Sequence, residues 1–125
     1  MRSSIALCLL LLSASIQSHE QTPTYPTWKT SGIDGIKKTN IRVWNKRPDI
    51  EYYEIGVFEK DLETPIPFVT AYKVIPLAYL KEVKFDIYIR ESNIEEARYV
   101  CSLSKLRSSN ESQTLLVTRI CSKFK

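Results

Sequence analysis

The chain has 125 residues, a formal net charge of +4 and three cysteines, which leaves room for one domain. Its Lys and Arg residues are scattered among Asp and Glu instead of forming a patch or stripe, which argues against a nucleic-acid partner. The three glycines, Gly32, Gly35 and Gly56, are scattered and form no glycine-rich phosphate loop.

Residues 1–18 read as an export signal. Arg2 supplies a short positive start, Ile5 to Leu12 are unbroken apolar residues, and small residues follow at Ser13, Ala14, Ser15 and Ser18. The apolar run is too short to cross a bilayer, which takes about 20 residues. Cleavage after Ser18 or Ser15 is expected, with a periplasmic or extracellular destination and no membrane span afterwards. Cys8 leaves with the signal. The two remaining cysteines, in an oxidising compartment, are then read as a disulfide.

Residues 19–27 form a polar lead-in with two prolines, and residues 28–125 the folded domain. Its only histidine, His19, falls at or beside the new N-terminus. No zinc site and no nucleophile–base pair can be built around it. The expectation is therefore a protein without cofactor, metal or catalytic residue, not an enzyme, and with no small-molecule substrate.

From Trp28 onward the dominant period is two, the mark of half-buried strands. Ile41 and Val43 alternate with Asn40 and Arg42 up to Trp44. A turn at Lys46 to Asp49 follows, because Pro48 fixes φ and Asp49 can bond the local backbone. Ile50 to Glu59 resumes as a strand with Tyr53, Ile55 and Val57 on one face and Tyr52 and Phe58 on the other. Pro65 and Pro67 interrupt it, since neither can donate to a ladder. Phe68 to Val74 is expected as a short strand closed by Pro76. Lys81 to Arg90 is the clearest strand, with Val83, Phe85, Ile87 and Ile89 pointing one way. Ser92 to Glu95 fits a capping box and predicts one helical turn. Ala97 to Leu106 and Thr114 to Phe124 make the last two strands. Strands at this spacing, about seven in number, predict an all-β immunoglobulin-like sandwich.

The final hairpin can be tested for register. Folded symmetrically about Glu111, it sets Leu106 opposite Leu116, Leu103 opposite Arg119, Cys101 opposite Cys121, and Tyr99 opposite Lys123. Opposed residues of a non-hydrogen-bonded antiparallel pair lie about 4.5 Å apart at Cα, within reach of a disulfide. Cys101 and Cys121 are therefore expected to be joined across the last two strands.

Asn40 to Asn45 followed by Tyr53 to Glu59 resembles the second and third strands of the PapD-like periplasmic pilus chaperones. Pro67 to Val69, leading through Val74-Ile75-Pro76 to the alternation of Val83 to Ile89, is similar to the strands that follow. Thr118 to Lys125 resembles the close of that family's N-terminal immunoglobulin-like domain. The resemblance implies a seven-stranded PapD-like sandwich whose last strand is lent to an incomplete partner by strand addition. Thr114 to Ile120 would be that strand, offering Leu115, Leu116, Val117 and Ile120. It further implies basic residues that anchor the partner's terminal carboxylate. The first-strand position falls on Lys29. The last-strand position falls on Cys121, a departure, so that Lys123 or Arg119 must substitute. The family has two domains and this stretch matches the first, so an interdomain cleft would need another chain. The function so implied is that of a periplasmic chaperone or a pilus or secretion accessory protein, with a pilin or secretion-apparatus subunit as partner. The alternative is a secreted structural or adhesive subunit of the same fold.

Overall fold

The computed structural model describes residues 19–105 and 117–125. Among the described residues eight antiparallel strands form two sheets: β1 (Glu20–Thr22), β2 (Lys29–Thr30), β3 (Ile36–Trp44), β4 (Tyr52–Phe58), β5 (Val74–Pro76), β6 (Glu82–Arg90), β7 (Tyr99–Lys105) and β8 (Arg119–Lys123). In the first sheet β3 lies between β6 and the two short strands β1 and β2; the second runs β5-β4-β7-β8. The architecture is the all-β immunoglobulin-like sandwich expected from the alternation. The count is eight because the first edge strand is split: β1 pairs with Arg42–Trp44 and β2 with Lys37 and Lys38. Pro23 and Pro26 fall in the gap, where neither can donate to β3.

Alternation decides the core. Ile41 and Val43 of β3, Tyr53, Ile55 and Val57 of β4, and Phe85, Ile87 and Ile89 of β6 are buried between the sheets. Each such side chain contributes about 1.5–3 kcal/mol relative to exposure. β3 and β6 pair along their whole length, from Ile36↔Arg90 to Trp44↔Glu82, and a one-residue slip of either would turn that strand's buried side chains to solvent.

Asn45 ends β3 and organises the turn that follows. Its Nδ2 donates to the carbonyls of Ile50 (2.7 Å) and Leu77 (2.9 Å). Its Oδ1 accepts from the Arg47 amide (2.8 Å) and the Tyr53 hydroxyl (2.7 Å). The side chain's bonding capacity is thereby filled, which is how an amide tolerates complete burial. Burial also pushes the Tyr53 hydroxyl up to about 12.

Three local expectations differ from the structure. Phe68 to Val74 is not one strand: Val69 bridges Tyr88 of the first sheet, while β5 begins only at Val74 and pairs with β4 of the second. A segment that crosses between sheets cannot keep one ladder, and Pro76 is part of β5. Ser92 and Glu95 form no capping box. The turn is a 3-10 helix, Glu91–Asn93, entered directly from β6 at Arg90 with no side-chain cap and closed by the Ile94 amide on Glu91 O at 3.2 Å. The polar segment 19–27 contains β1, which is built into the first sheet.

Candidate functional site

The two cysteines meet as the hairpin register requires. Tyr99↔Lys123, Cys101↔Cys121 and Leu103↔Arg119 are opposed, and the Cys101–Cys121 disulfide joins Cα atoms 4.1 Å apart. Leu106 opposite Leu116 lies outside the described residues. Ser104 N donates to Thr118 O (2.9 Å) and Phe124 N to Arg98 O (2.8 Å). Even-numbered residues of β8 thus turn their backbone groups toward β7, and the cysteines occupy a non-hydrogen-bonded pair. Odd-numbered residues turn theirs away.

That outward edge is closed at one end and open at the other. Lys123 N donates to Thr24 O and Lys125 N to Pro26 O, both at 3.1 Å, so residues 24–26 run beside the end of β8. Among the described residues, no backbone group bonds the outward N–H or C=O of Arg119 or Cys121. Among the described residues the other sheet edges are guarded in part, β6 by a backbone bridge at Tyr88 alone. β1 and β2 are short and separated by prolines, β5 has three residues ending in Pro76, and β6 is bridged at Tyr88 by Val69. Short strands, prolines and cover are the usual devices against unwanted strand addition. Among the described residues, the β8 edge at Arg119 and Cys121 carries neither a proline nor backbone cover.

The sequence-predicted site residues distribute around this edge as follows. Val117 is exposed. Ile120 is half-buried and alternates with Ser122 and Phe124 on the inner face. Leu115 and Leu116 lie outside the described residues. Lys29 of β2 and Lys123 of β8 are exposed, and neither joins an ion pair among the described residues. Their chain neighbours bring the two strands together: the rings of Trp28 and Phe124 stack with centroids 4.4 Å apart. Arg119 is committed elsewhere, since its Nη1 donates to Leu62 O (2.9 Å) and its guanidinium lies 5.7 Å from the Phe58 ring centre. Of the two basic residues that could stand in on the last strand, Lys123 is the unpaired one.

Sequence reasoning passed over a buried polar seam behind β8. His19 and Gln21 face Ser102, Ser104 and Ser122, and all five are buried. Gln21 Nε2 donates to Val100 O (3.0 Å) and Ser122 Oγ (2.7 Å), and Ser102 Oγ donates to Gln21 Oε1 (2.6 Å). His19 Nε2 sits 2.8 Å from Ser102 Oγ and 3.1 Å from Ser102 O, and its Nδ1 lies 3.3 Å from Thr118 Oγ1. Because the Ser102 hydroxyl proton goes to Gln21, Nε2 carries the imidazole proton and Nδ1 accepts from Thr118. Burial holds the His19 pKa down to about 4. The signal was present: serines at inward-facing positions 102, 104 and 122 require polar partners, which the lead-in supplies to Ser102 and Ser122 and Thr118 supplies to Ser104.

A groove of about 630 Å³ lies beside β6, lined mainly by Ile33, Ile36, Phe68, Val69 and Ile89, and holds none of the predicted site residues. Among the described residues no group of acidic, Cys and His side chains could hold a metal ion, and no helix is long and apolar enough to cross a membrane.

No protein-family model matches the sequence, and no curated protein matches it. Solved structures do match the fold. The chain is similar to the Escherichia coli chaperone DraB, with 16% identity and a TM-score of 0.63 over 86% of this chain and 53% of that one. It is similar to a chain in the Salmonella enterica SafA pilin–SafB chaperone complex, with 16% identity and a TM-score of 0.62 over 90% of this chain and 55% of that one. It is also similar to the periplasmic chaperone SfaE, with 16% identity and a TM-score of 0.53 over 86% of this chain and 56% of that one. The fold is therefore that of the PapD-like chaperones, and the chain spans about half the length of these structures.

Proposed function

We propose that this chain binds an extended segment of a partner protein by adding it as a strand to the open edge of β8, as a periplasmic chaperone or a pilus or secretion accessory protein. The observation that carries the reading is the outward backbone of Arg119 and Cys121, which no backbone group bonds among the described residues, in a fold whose β1, β2 and β5 edges are short and proline-bearing. Backbone bonds along such an edge supply affinity, and side chains at alternate positions supply specificity. The fold shared with chaperones, one of them held in a complex with a pilin, supports a pilin or secretion-apparatus subunit as the partner.

On this reading Leu115, Leu116, Val117 and Ile120 fill apolar pockets of the partner. Lys29 and Lys123 hold its terminal carboxylate through charge-assisted hydrogen bonds. The disulfide keeps β8 in register while its outer edge is used. Residues 1–18 direct export and are removed, leaving 19–125 as one domain that works in the periplasm without cofactor or catalysis. A structural subunit that needs a strand from elsewhere is less well supported, since this chain supplies its own β8.

The test is calorimetric titration with extended peptides of about ten residues that alternate apolar and polar side chains. Leu116→Asp should abolish binding while leaving the fold intact. Full binding by a folded Leu116→Asp protein would remove the donor-strand reading.

A further inference from the structure

The N-terminal arm touches the candidate edge twice. Residues 20–22 belong to the first sheet, while the side chains of His19 and Gln21 reach across to Ser102, Val100 and Ser122 of the second. Thr24 and Pro26 then cover the end of β8 by accepting from Lys123 N and Lys125 N. The arm therefore sets the length of open edge. While it is seated, the edge stops at Cys121; if it lifts, Lys123 and Lys125 join it.

The attachment of the arm at His19 is polar, sealed and dependent on a neutral ring. Around the imidazole stand Ser102 of β7, Thr118 ahead of β8, the Tyr53 ring of β4 at 4.6 Å, and Gln21 on its own strand. Two charged groups bear on it: Arg47, in the turn after β3, whose guanidinium grips Asp49 through Nε (3.1 Å) and Nη2 (2.6 Å), and, once residues 1–18 are removed, the α-ammonium of residue 19, which His19→Gln shares. Among the described residues no carboxylate bonds the imidazole. A second ring proton would thus place a cation in a buried seam, near another cation, with only the Thr118 hydroxyl to receive it.

We propose that His19 is an acid-operated latch: neutral, it seats residues 19–26 against β7 and β8; protonated, it releases them and uncovers the end of the β8 edge. The depressed basicity of His19 accords with this, since the neutral ring is the form the seated arm prefers. The consequence for partner binding rests on the strand-addition reading. The release itself does not, and it can be tested without any partner.

The experiment is residue-resolved amide hydrogen exchange on the exported protein, from about pH 7 down to about pH 4.5, with rates corrected for intrinsic pH dependence. Lys123 and Lys125 report the arm, because their protons are bonded to Thr24 and Pro26. Phe124, bonded to Arg98, reports the β7–β8 ladder. Protection at Lys123 and Lys125 should fall by about tenfold per pH unit below about 6.5, while Phe124 holds. In His19→Gln the same two amides should lose this pH dependence. The exposed Lys46–Glu20 pair on the arm is common to both proteins, so it cannot account for a difference between them. Unchanged protection of Lys123 and Lys125 in the parent, or an equal fall in His19→Gln, overturns the latch. Should His19→Gln not fold, the parent's tenfold slope, confined to those two amides, decides alone. A partner that fails to bind would overturn strand addition and leave this result standing.

Discussion

Proline at Arg119 separates the candidate edge from the fold. The Arg119 N–H points away from β7, whose ladder is carried by residues 118, 120, 122 and 124, so Arg119→Pro deletes an outward donor and spares the hairpin. The preceding Thr118 already meets β7 through its carbonyl, which accepts from Ser104 N (2.9 Å) and does not depend on the residue that follows. If a partner strand pairs here, it loses one backbone hydrogen bond, about 0.5–1.5 kcal/mol, and one of its carbonyls is buried without a donor, about 1–3 kcal/mol more. At about 1.4 kcal/mol per tenfold, peptide affinity should drop by about 10- to 1,000-fold. Arg119→Ala controls for the lost contacts to Leu62 O and the Phe58 ring, which are exposed and should matter little. The assay is calorimetric titration of both variants beside a urea unfolding curve. Equal affinity of the Pro and Ala variants, with both folded, would refute strand addition at this edge.

Other outcomes follow from the same contacts. Replacing both Cys101 and Cys121 with Ala should lower unfolding free energy by up to about 3 kcal/mol, from the entropy of the loop closed by a separation of 20 residues; urea denaturation of the oxidised and variant proteins measures it. Asn45→Leu leaves the Tyr53 hydroxyl, the Arg47 amide and the Ile50 and Leu77 carbonyls without that partner, and should cost about 4 kcal/mol or more, a large share of a small domain's stability. Thermal unfolding should show Asn45→Asp to be nearly as damaging, because its carboxylate cannot donate to Ile50 O or Leu77 O. For His19 the folded pKa, about 4, lies below the ordinary 6.5, so its contribution is complete above pH 6.5 and is lost as pH falls toward 4. Denaturant midpoints across that window should fall in the parent and flatten in His19→Gln.

Much of the sandwich was legible because its information is local. Period-two alternation put Tyr53, Ile55, Val57, Phe85, Ile87 and Ile89 inside, and the spacing of two cysteines about a polar loop set the register of β7 and β8. What escaped depends on partners distant in sequence. The 19–27 segment looks like a lead-in because its residues are polar, yet polar side chains are what the serines on β7 and β8 require. Phe68 to Val74 has the composition of a strand, but Val69 and Val74 pair with different sheets. Ser92 and Glu95 carry the letters of a capping box, but the turn starts straight from Arg90 and leaves no cap position for Ser92. At the edge itself, the resemblance singled out Lys29 and Lys123. The stack of Trp28 on Phe124 that brings their strands together is visible only in three dimensions.

Amide exchange at Arg119 and Cys121, compared between the free protein and a saturated complex with an extended peptide, reads the open edge directly. Both amides should exchange freely alone and become protected on binding, with Ser122 and Phe124, already bonded to β7, unchanged. A peptide that binds while Arg119 and Cys121 exchange as fast as before would place the interaction elsewhere on the molecule.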